Sequence, residues 1–262
     1  MANLQMEYYS KSLKRQVSFS AVIPAERLEP PSPERKGLRS LYLLHGYAGS
    51  HTDWLYFTRI RELAEKHHIA VFMPSGENHF YLDDEDKGER HGEFIGSELV
   101  ELTRSLFPLS RERGDTFIGG LSMGGFGAIR NGLKYNGSFG RIIALSSALI
   151  LHGIAGIGPD FHNGIAGYGY YRRVFGDLNA VLGSDKDPEA LVQALKAAGA
   201  ELPQIYMACG TEDFLLEQNR LFHVFLTGEG VAHTYKESPG AHTWDFWNTY
   251  IAEALEWALA AD

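Results

Sequence analysis

Two hydrophobic rhythms alternate along the chain. Short apolar runs at 41–44 (LYLL), 69–73 (IAVFM), 116–119 (TFIG), 142–146 (IIALS) and 205–208 (IYMA) suit strands buried on both faces of a parallel sheet. The segment 15–23 instead alternates, with Val17, Phe19, Ala21 and Ile23 on one face, and 232–236 reads as a last strand. Between these runs, helical spacing predicts helices over 53–66, 94–107, 123–135, 188–198, 214–227 and 245–260. Thr52 is a natural N-cap for the first. The second sets Ile95, Leu99, Leu102 and Leu106 on one stripe and stops at Pro108. The Pro-rich stretch 29–37 (EPPSPERKG) is a loop too short to link domains. Residues 1–10 show no apolar run, and no internal repeat is evident. Strand–helix alternation of this kind predicts an α/β fold with a mostly parallel central sheet and helices on both faces. Ligand sites in such sheets lie beyond the carboxyl ends of the strands.

Composition adds exclusions. The chain has 262 residues, 44% hydrophobic and 22% charged, an ordinary globular balance. A net charge of −9 disfavours nucleic acid and anionic membrane as partners. The single cysteine, Cys209, excludes an intramolecular disulfide and any multi-cysteine metal site. No segment approaches the ~20 apolar residues of a membrane span and no targeting signal is evident, so a cytoplasmic location is the expectation. Glycine is in excess, 29 residues or about 11% against a usual ~7%.

Part of that excess marks chemistry. After the strand at 116–119 comes Gly120-Leu121-Ser122-Met123-Gly124, a G-x-S-x-G sequence between a buried strand and a helix. A serine on so sharp a turn has strained backbone and points out of the sheet, and side chains at Gly120 or Gly124 would collide with the neighbouring strand and helix. A neutral serine hydroxyl is a weak nucleophile and needs a base oriented by an acid. The chain order for such an elbow is serine, acid, histidine. The strand at 205–208 leads into Glu212-Asp213, and the motif favours Asp213. His242 lies on the loop after the last strand. Its rival His233 lies within the strand, where pairing fixes side-chain direction. Two backbone N–H groups would hold an oxyanion, that of Met123 and that of Tyr47 in the loop His45-Gly46-Tyr47-Ala48-Gly49. His45 reads as a structural residue of that loop.

In combination, YLLHGYAGSHTDW (42–54), GGLSMGGFGA (119–128), CGTEDFLLEQN (209–219) and PGAHTWDFW (239–247) resemble the α/β-hydrolases of the esterase D type. That group contains S-formylglutathione hydrolases, tributyrin esterases and cinnamoyl (feruloyl) esterases. The resemblance covers nearly the whole chain and leans toward the tributyrin and cinnamoyl esterase branch. It implies one domain over 1–262, the triad Ser122, Asp213 and His242, and an oxyanion hole at Tyr47 and Met123. It also implies a serine carboxylesterase for short acyl or hydroxycinnamoyl esters, and frequent homodimers. The alternatives are an S-formylglutathione hydrolase-like thioesterase and an acyltransferase to a non-water acceptor. No cofactor is expected.

Residues 148–183 form the least regular stretch and read as a lid-like insert beside the triad. Its aromatic side chains suit an aryl acyl group or packing on the body equally well. His162, Tyr168 and Tyr170 there, with Trp54 at the start of the first helix, are the candidate substrate-binding residues. The charged run 82–90 (LDDEDKGER) lacks a calcium-loop pattern and reads as a solvated loop, so no metal is expected.

Overall fold

The computed structural model describes residues 1–24, 37–84 and 86–260. The Pro-rich loop at 29–37 lies, apart from Gly37, outside the described residues. Eight strands form one sheet: β1 (Ala2–Ser10), β2 (Arg15–Ile23), β3 (Ser40–Leu44), β4 (Ala70–Pro74), β7 (Thr116–Leu121), β8 (Arg141–Leu145), β9 (Gln204–Gly210) and β10 (His233–Ser238). Their order across the sheet is β1-β2-β4-β3-β7-β8-β9-β10. Only β2 opposes its neighbours; it pairs antiparallel with β1 and with β4, and the rest of the sheet is parallel. A two-stranded ribbon, β5 (Asp83–Asp84) with β6 (Glu89–Arg90), stands apart.

The buried strands explain the two apolar cores. Tyr42 and Leu44 of β3 face one core with Phe72, Ile118 and Ile142, while Leu41 and Leu43 face the other with Val71, Phe117 and Ile143. Both faces of β3, β4, β7 and β8 are covered, and every residue of these four strands is buried. The first core is closed by α4 (Leu99–Leu106), α5 (Met123–Lys134), α7 (Tyr168–Phe175), α8 (Pro188–Ala197) and α9 (Leu216–Gly228). The second is closed by α1 (Asp53–Phe57), α2 (Ile60–His67) and α10 (Trp244–Leu259).

Three elements differ from the expectation. β1 was hidden because it carries no apolar run; its inward residues simply alternate with exposed ones. The helix at 53–66 is two, because Thr58 turns extended (φ −137°, ψ 171°) and its hydroxyl donates back to the Trp54 carbonyl. The segment 94–107 is preceded by α3 (His91–Glu93) and opens with a π turn over Phe94–Glu98 before α4. The wider turn rotates the residues of α4 about the helix axis, so Leu99, Val100 and Thr103 are buried while Leu106 is exposed, off the expected stripe. The insert holds α6 (Leu151–Ile154) and α7. Among the described residues, no helix is long and apolar enough to cross a membrane.

Register sets the site. Leu44 aligns with Gly120, Leu121 with Leu145, Leu145 with Ala208, and Gly210 with Ser238. The segments beyond these positions therefore leave the sheet along one edge.

Candidate active site

Ser122 joins β7 to α5 with φ 54° and ψ −119°, a conformation that a residue with a Cβ rarely adopts. Its N–H donates to the Leu145 carbonyl at 2.9 Å, and its own carbonyl accepts from the Ala148 N–H at 2.9 Å. The turn is thus held by the neighbouring strand end. A Cβ at Gly120 would sit 2.4 Å from the Gly124 carbonyl oxygen, and one at Gly124 would sit 2.5 Å from the Leu44 carbonyl oxygen. Bare backbone is what lets β3, β7 and α5 meet there.

A continuous chain of hydrogen bonds reaches this serine. Ser122 Oγ lies 3.0 Å from His242 Nε2, and His242 Nδ1 lies 2.9 Å and 3.1 Å from the Asp213 carboxylate oxygens. The carboxylate requires the proton on Nδ1, leaving Nε2 to accept from the serine hydroxyl. Asp213 is buried. Burial pushes its carboxyl pKa up, but bonds from His242 and the Leu215 N–H outweigh this and hold it below the ordinary range. Glu212 points elsewhere: it is exposed and accepts from the Gly240 N–H and the Thr211 hydroxyl. His233, the first residue of β10, faces His223 at 2.7 Å, at the opposite end of the strand from the loop that carries His242. The His242 ring is flanked by Phe214 (centroids 4.6 Å apart) and by Trp247 edge-on (4.8 Å), whose indole N–H donates to the Ser146 hydroxyl.

The loop after β3 is tightly fixed. His45 is buried, Nε2 accepts the Gly76 N–H at 2.9 Å, and Nδ1 faces the Gly46 carbonyl at 2.7 Å. Burial lowers its pKa, which keeps the ring neutral with the proton on Nδ1. A Cβ on Gly46 would stand 3.5 Å from the Ser122 Cβ, so the loop passes directly over the elbow.

Of the expected substrate residues, Tyr170 reaches this loop. Its ring meets Tyr47 edge-on at 5.6 Å and its hydroxyl donates to the Asn78 carbonyl at 2.7 Å. Tyr168 lies instead in a charged cleft of about 940 Å³ shared with Asp83, Asp84, Arg172 and Lys186. His162 is exposed, its Nδ1 accepting the Gly164 N–H. Trp54 corrects an expectation. It is 1% exposed, donates to the Leu44 carbonyl and packs on Trp244, so it fills the second core rather than lining a pocket.

Two positioning residues escaped the sequence reading. Asn78 accepts the Ala48 N–H at 2.7 Å, beside Tyr47. Asn219, fully buried, accepts the Ser147 N–H and donates to the Ser147 carbonyl, clamping the segment that holds Ser122. Asn219 ends the segment 209–219, but nothing in its type or spacing shows what it grips.

The sheet order, the strained serine elbow and the bonded histidine and carboxylate define an α/β-hydrolase of the serine type. The family model described as "Putative esterase" matches residues 10–258, and the chain belongs to that Esterase family. A curated relative, an acetyl esterase of Caldicellulosiruptor saccharolyticus, is 55% identical over 98% of each chain. Among solved structures, the Staphylococcus aureus fluorophosphonate-binding serine hydrolase F, with substrate bound, is similar at 27% identity and TM-score 0.88 over 99% of each chain. The S. aureus S-formylglutathione hydrolase is similar at 26% identity and TM-score 0.85 over 98% of each. The protein is a carboxylic ester hydrolase of the serine esterase class, acting on ester substrates.

Proposed function

We propose that Ser122, His242 and Asp213 are the catalytic triad of an esterase for short-chain acyl esters, acetyl to butyryl first. The observation that carries this reading is the unbroken path from buried Asp213 through both ring nitrogens of His242 to Ser122 Oγ. His242 Nε2 takes the hydroxyl proton as Oγ adds to the ester carbonyl. The N–H groups of Met123 and Tyr47 receive the oxyanion. Met123 opens α5, and first-turn N–H groups have no intrahelical partner. Collapse transfers the proton from His242 to the leaving alcohol and leaves the acyl group on Oγ. Water, deprotonated by the same nitrogen, then releases the acid.

The acyl group has a candidate berth. An apolar cleft of about 470 Å³, within the range of ligand pockets, runs between the insert and α9, lined by Leu149, Ile150, Phe161, Leu221 and Phe222. It starts one residue beyond Ala148, whose N–H bonds the Ser122 carbonyl. The acetyl esterase relative supports short acyl groups; hydroxycinnamoyl esters remain within the reading because the cleft is lined with aromatic and aliphatic side chains. A thioester reading draws on the likeness to the S-formylglutathione hydrolase. Rates on nitrophenyl acetate and butyrate, a feruloyl ester and S-formylglutathione, run side by side, rank these substrates. Ser122→Ala is expected to lower kcat on nitrophenyl acetate by at least about 10³-fold and to abolish fluorophosphonate labelling. A variant that keeps most of its activity would remove Ser122 from the mechanism.

A further inference from the structure

The loop between β4 and β5 holds chemistry that ester hydrolysis does not use. Glu77, Phe80 and Tyr81 within it all adopt left-handed backbone, with φ of 48°, 52° and 57°. His79 stacks on His91 of α3, with centroids 4.4 Å and planes 13° apart. His91 is completely buried, and neither ring nitrogen has a hydrogen-bond partner. A neutral imidazole carries one N–H and one lone pair, and burying both unused is costly unless something else engages them. The Glu77 carboxylate closes the cluster, 3.7 Å from His79 Nε2, and one donor atom from each of the three residues lies within 4.8 Å of the others.

We propose that Glu77, His79 and His91 form a binding site for a divalent first-row transition ion, with Zn²⁺ the best match, that pins this loop. Two imidazoles and one carboxylate are a donor set such ions favour, and a fourth place is left for water. His91 offers a ring nitrogen that no protein group engages. The charged groups nearest the two rings are Glu77, Asp84 and Glu89 against Arg15 and Lys87, leaving carboxylates in excess. Arg15 pairs with Glu77 Oε1, so Oε2 is the oxygen turned to His79. Ligands around tetrahedral Zn²⁺ lie about 3.3 Å apart, so binding draws the three together and turns His79, the more accessible ring, out of the stack. Sequence spacing does not show this cluster, because His91 comes from a separate element.

The site has a route to the esterase centre. Asn78, between two proposed ligands, holds the Ala48 N–H and receives the Tyr170 hydroxyl. An ion at Glu77 and His79 therefore fixes Asn78 and, through it, the loop carrying Tyr47. That consequence rests on the oxyanion reading; metal binding does not.

The test is calorimetric titration of chelator-treated protein with Zn²⁺ alone, paired with melting curves. The wild type is expected to bind one Zn²⁺ per chain and to melt several degrees higher with it. Glu77→Gln and His79→Gln are each expected to weaken binding at least about tenfold and to lose the shift. His223→Gln, which removes the competing surface pair with His233, is expected to change neither. Ser122→Ala is expected to bind Zn²⁺ like the wild type, which separates this proposal from the esterase reading. Absence of stoichiometric binding, binding untouched by Glu77→Gln and His79→Gln, or binding lost in His223→Gln overturns it.

Discussion

Ser122 can hold φ 54° only because its surroundings leave no alternative, and a strained residue of this kind costs of order 1–3 kcal/mol. The glycines around it make that possible, which is why this part of the site was legible in the sequence: the constraint is local and only glycine meets it. Gly124→Ala would place a methyl 2.5 Å from the Leu44 carbonyl oxygen and 2.6 Å from that of His45. It is expected to destabilise by about 1–3 kcal/mol in urea titrations and to lower kcat by displacing the loop over the elbow. Gly137→Ala, where a methyl meets nothing within 4 Å, is the tolerated control. Asp213 gives a pH prediction. Its folded pKa lies below the ordinary carboxylate value of 3.8, because the bonds from His242 and Leu215 outweigh the upward push of burial. Its stabilising contribution is therefore complete above that value and is lost as pH falls through the folded pKa. The melting-temperature gap between wild type and Asp213→Asn is expected to be constant near neutrality and to shrink below about pH 4. At neutral pH the same variant is expected to lose roughly 10⁴-fold in kcat, since Asn no longer fixes the Nδ1–H tautomer. Trp54 shows the limit at this scale. An aromatic residue next to a site motif reads alike whether it lines a pocket or fills a core, and only the sheet face on which it falls separates the two.

Elements were legible where hydrophobic period decides them and not where backbone detail does. The buried strands and α5, α8, α9 and α10 follow from pattern to within two residues. The π turn at Phe94–Glu98 does not, because one added residue in a turn changes the buried face without changing composition. The loop after β4 was equally opaque: Asn78 matters through a carbonyl and an amide oxygen aimed by left-handed neighbours, which no spacing rule encodes. That loop joins two elements, α7 through Tyr170 and the β3 loop through Ala48. Tyr170→Phe removes one hydrogen bond and keeps the ring against Tyr47. It is expected to cost about 1 kcal/mol in denaturant midpoint at unchanged slope. Asn78→Ala keeps the carbonyl that accepts from Tyr170 but releases the Ala48 N–H, and is expected to reduce kcat on nitrophenyl acetate more than it raises KM, because the oxyanion forms only after substrate has bound.

Across the whole molecule, the proposed triad is assembled from the ends of β7, β9 and β10, while its oxyanion loop comes from β3. Residues far apart in sequence thus depend on one sheet register, and the natural reading is one cooperative domain over 1–262 with the insert as part of it. The aromatic residues allow this to be tested without labels. All four tryptophans belong to the second core: Trp54 and Trp247 are buried in it, and Trp244 and Trp257 pack against it. The insert contributes tyrosines and phenylalanines to the first core, among them Tyr171 and Phe175. Tryptophan emission therefore follows the α1, α2 and α10 face, whereas the proposed oxyanion loop is packed from the insert side of the sheet, where Tyr170 meets Tyr47. In a guanidinium titration at equilibrium, loss of activity and the tryptophan transition are expected to coincide, with one midpoint and one slope. An activity midpoint well below the emission midpoint would mean that the insert opens as a separate unit, and would replace the single domain with a stable sheet carrying a weaker cap.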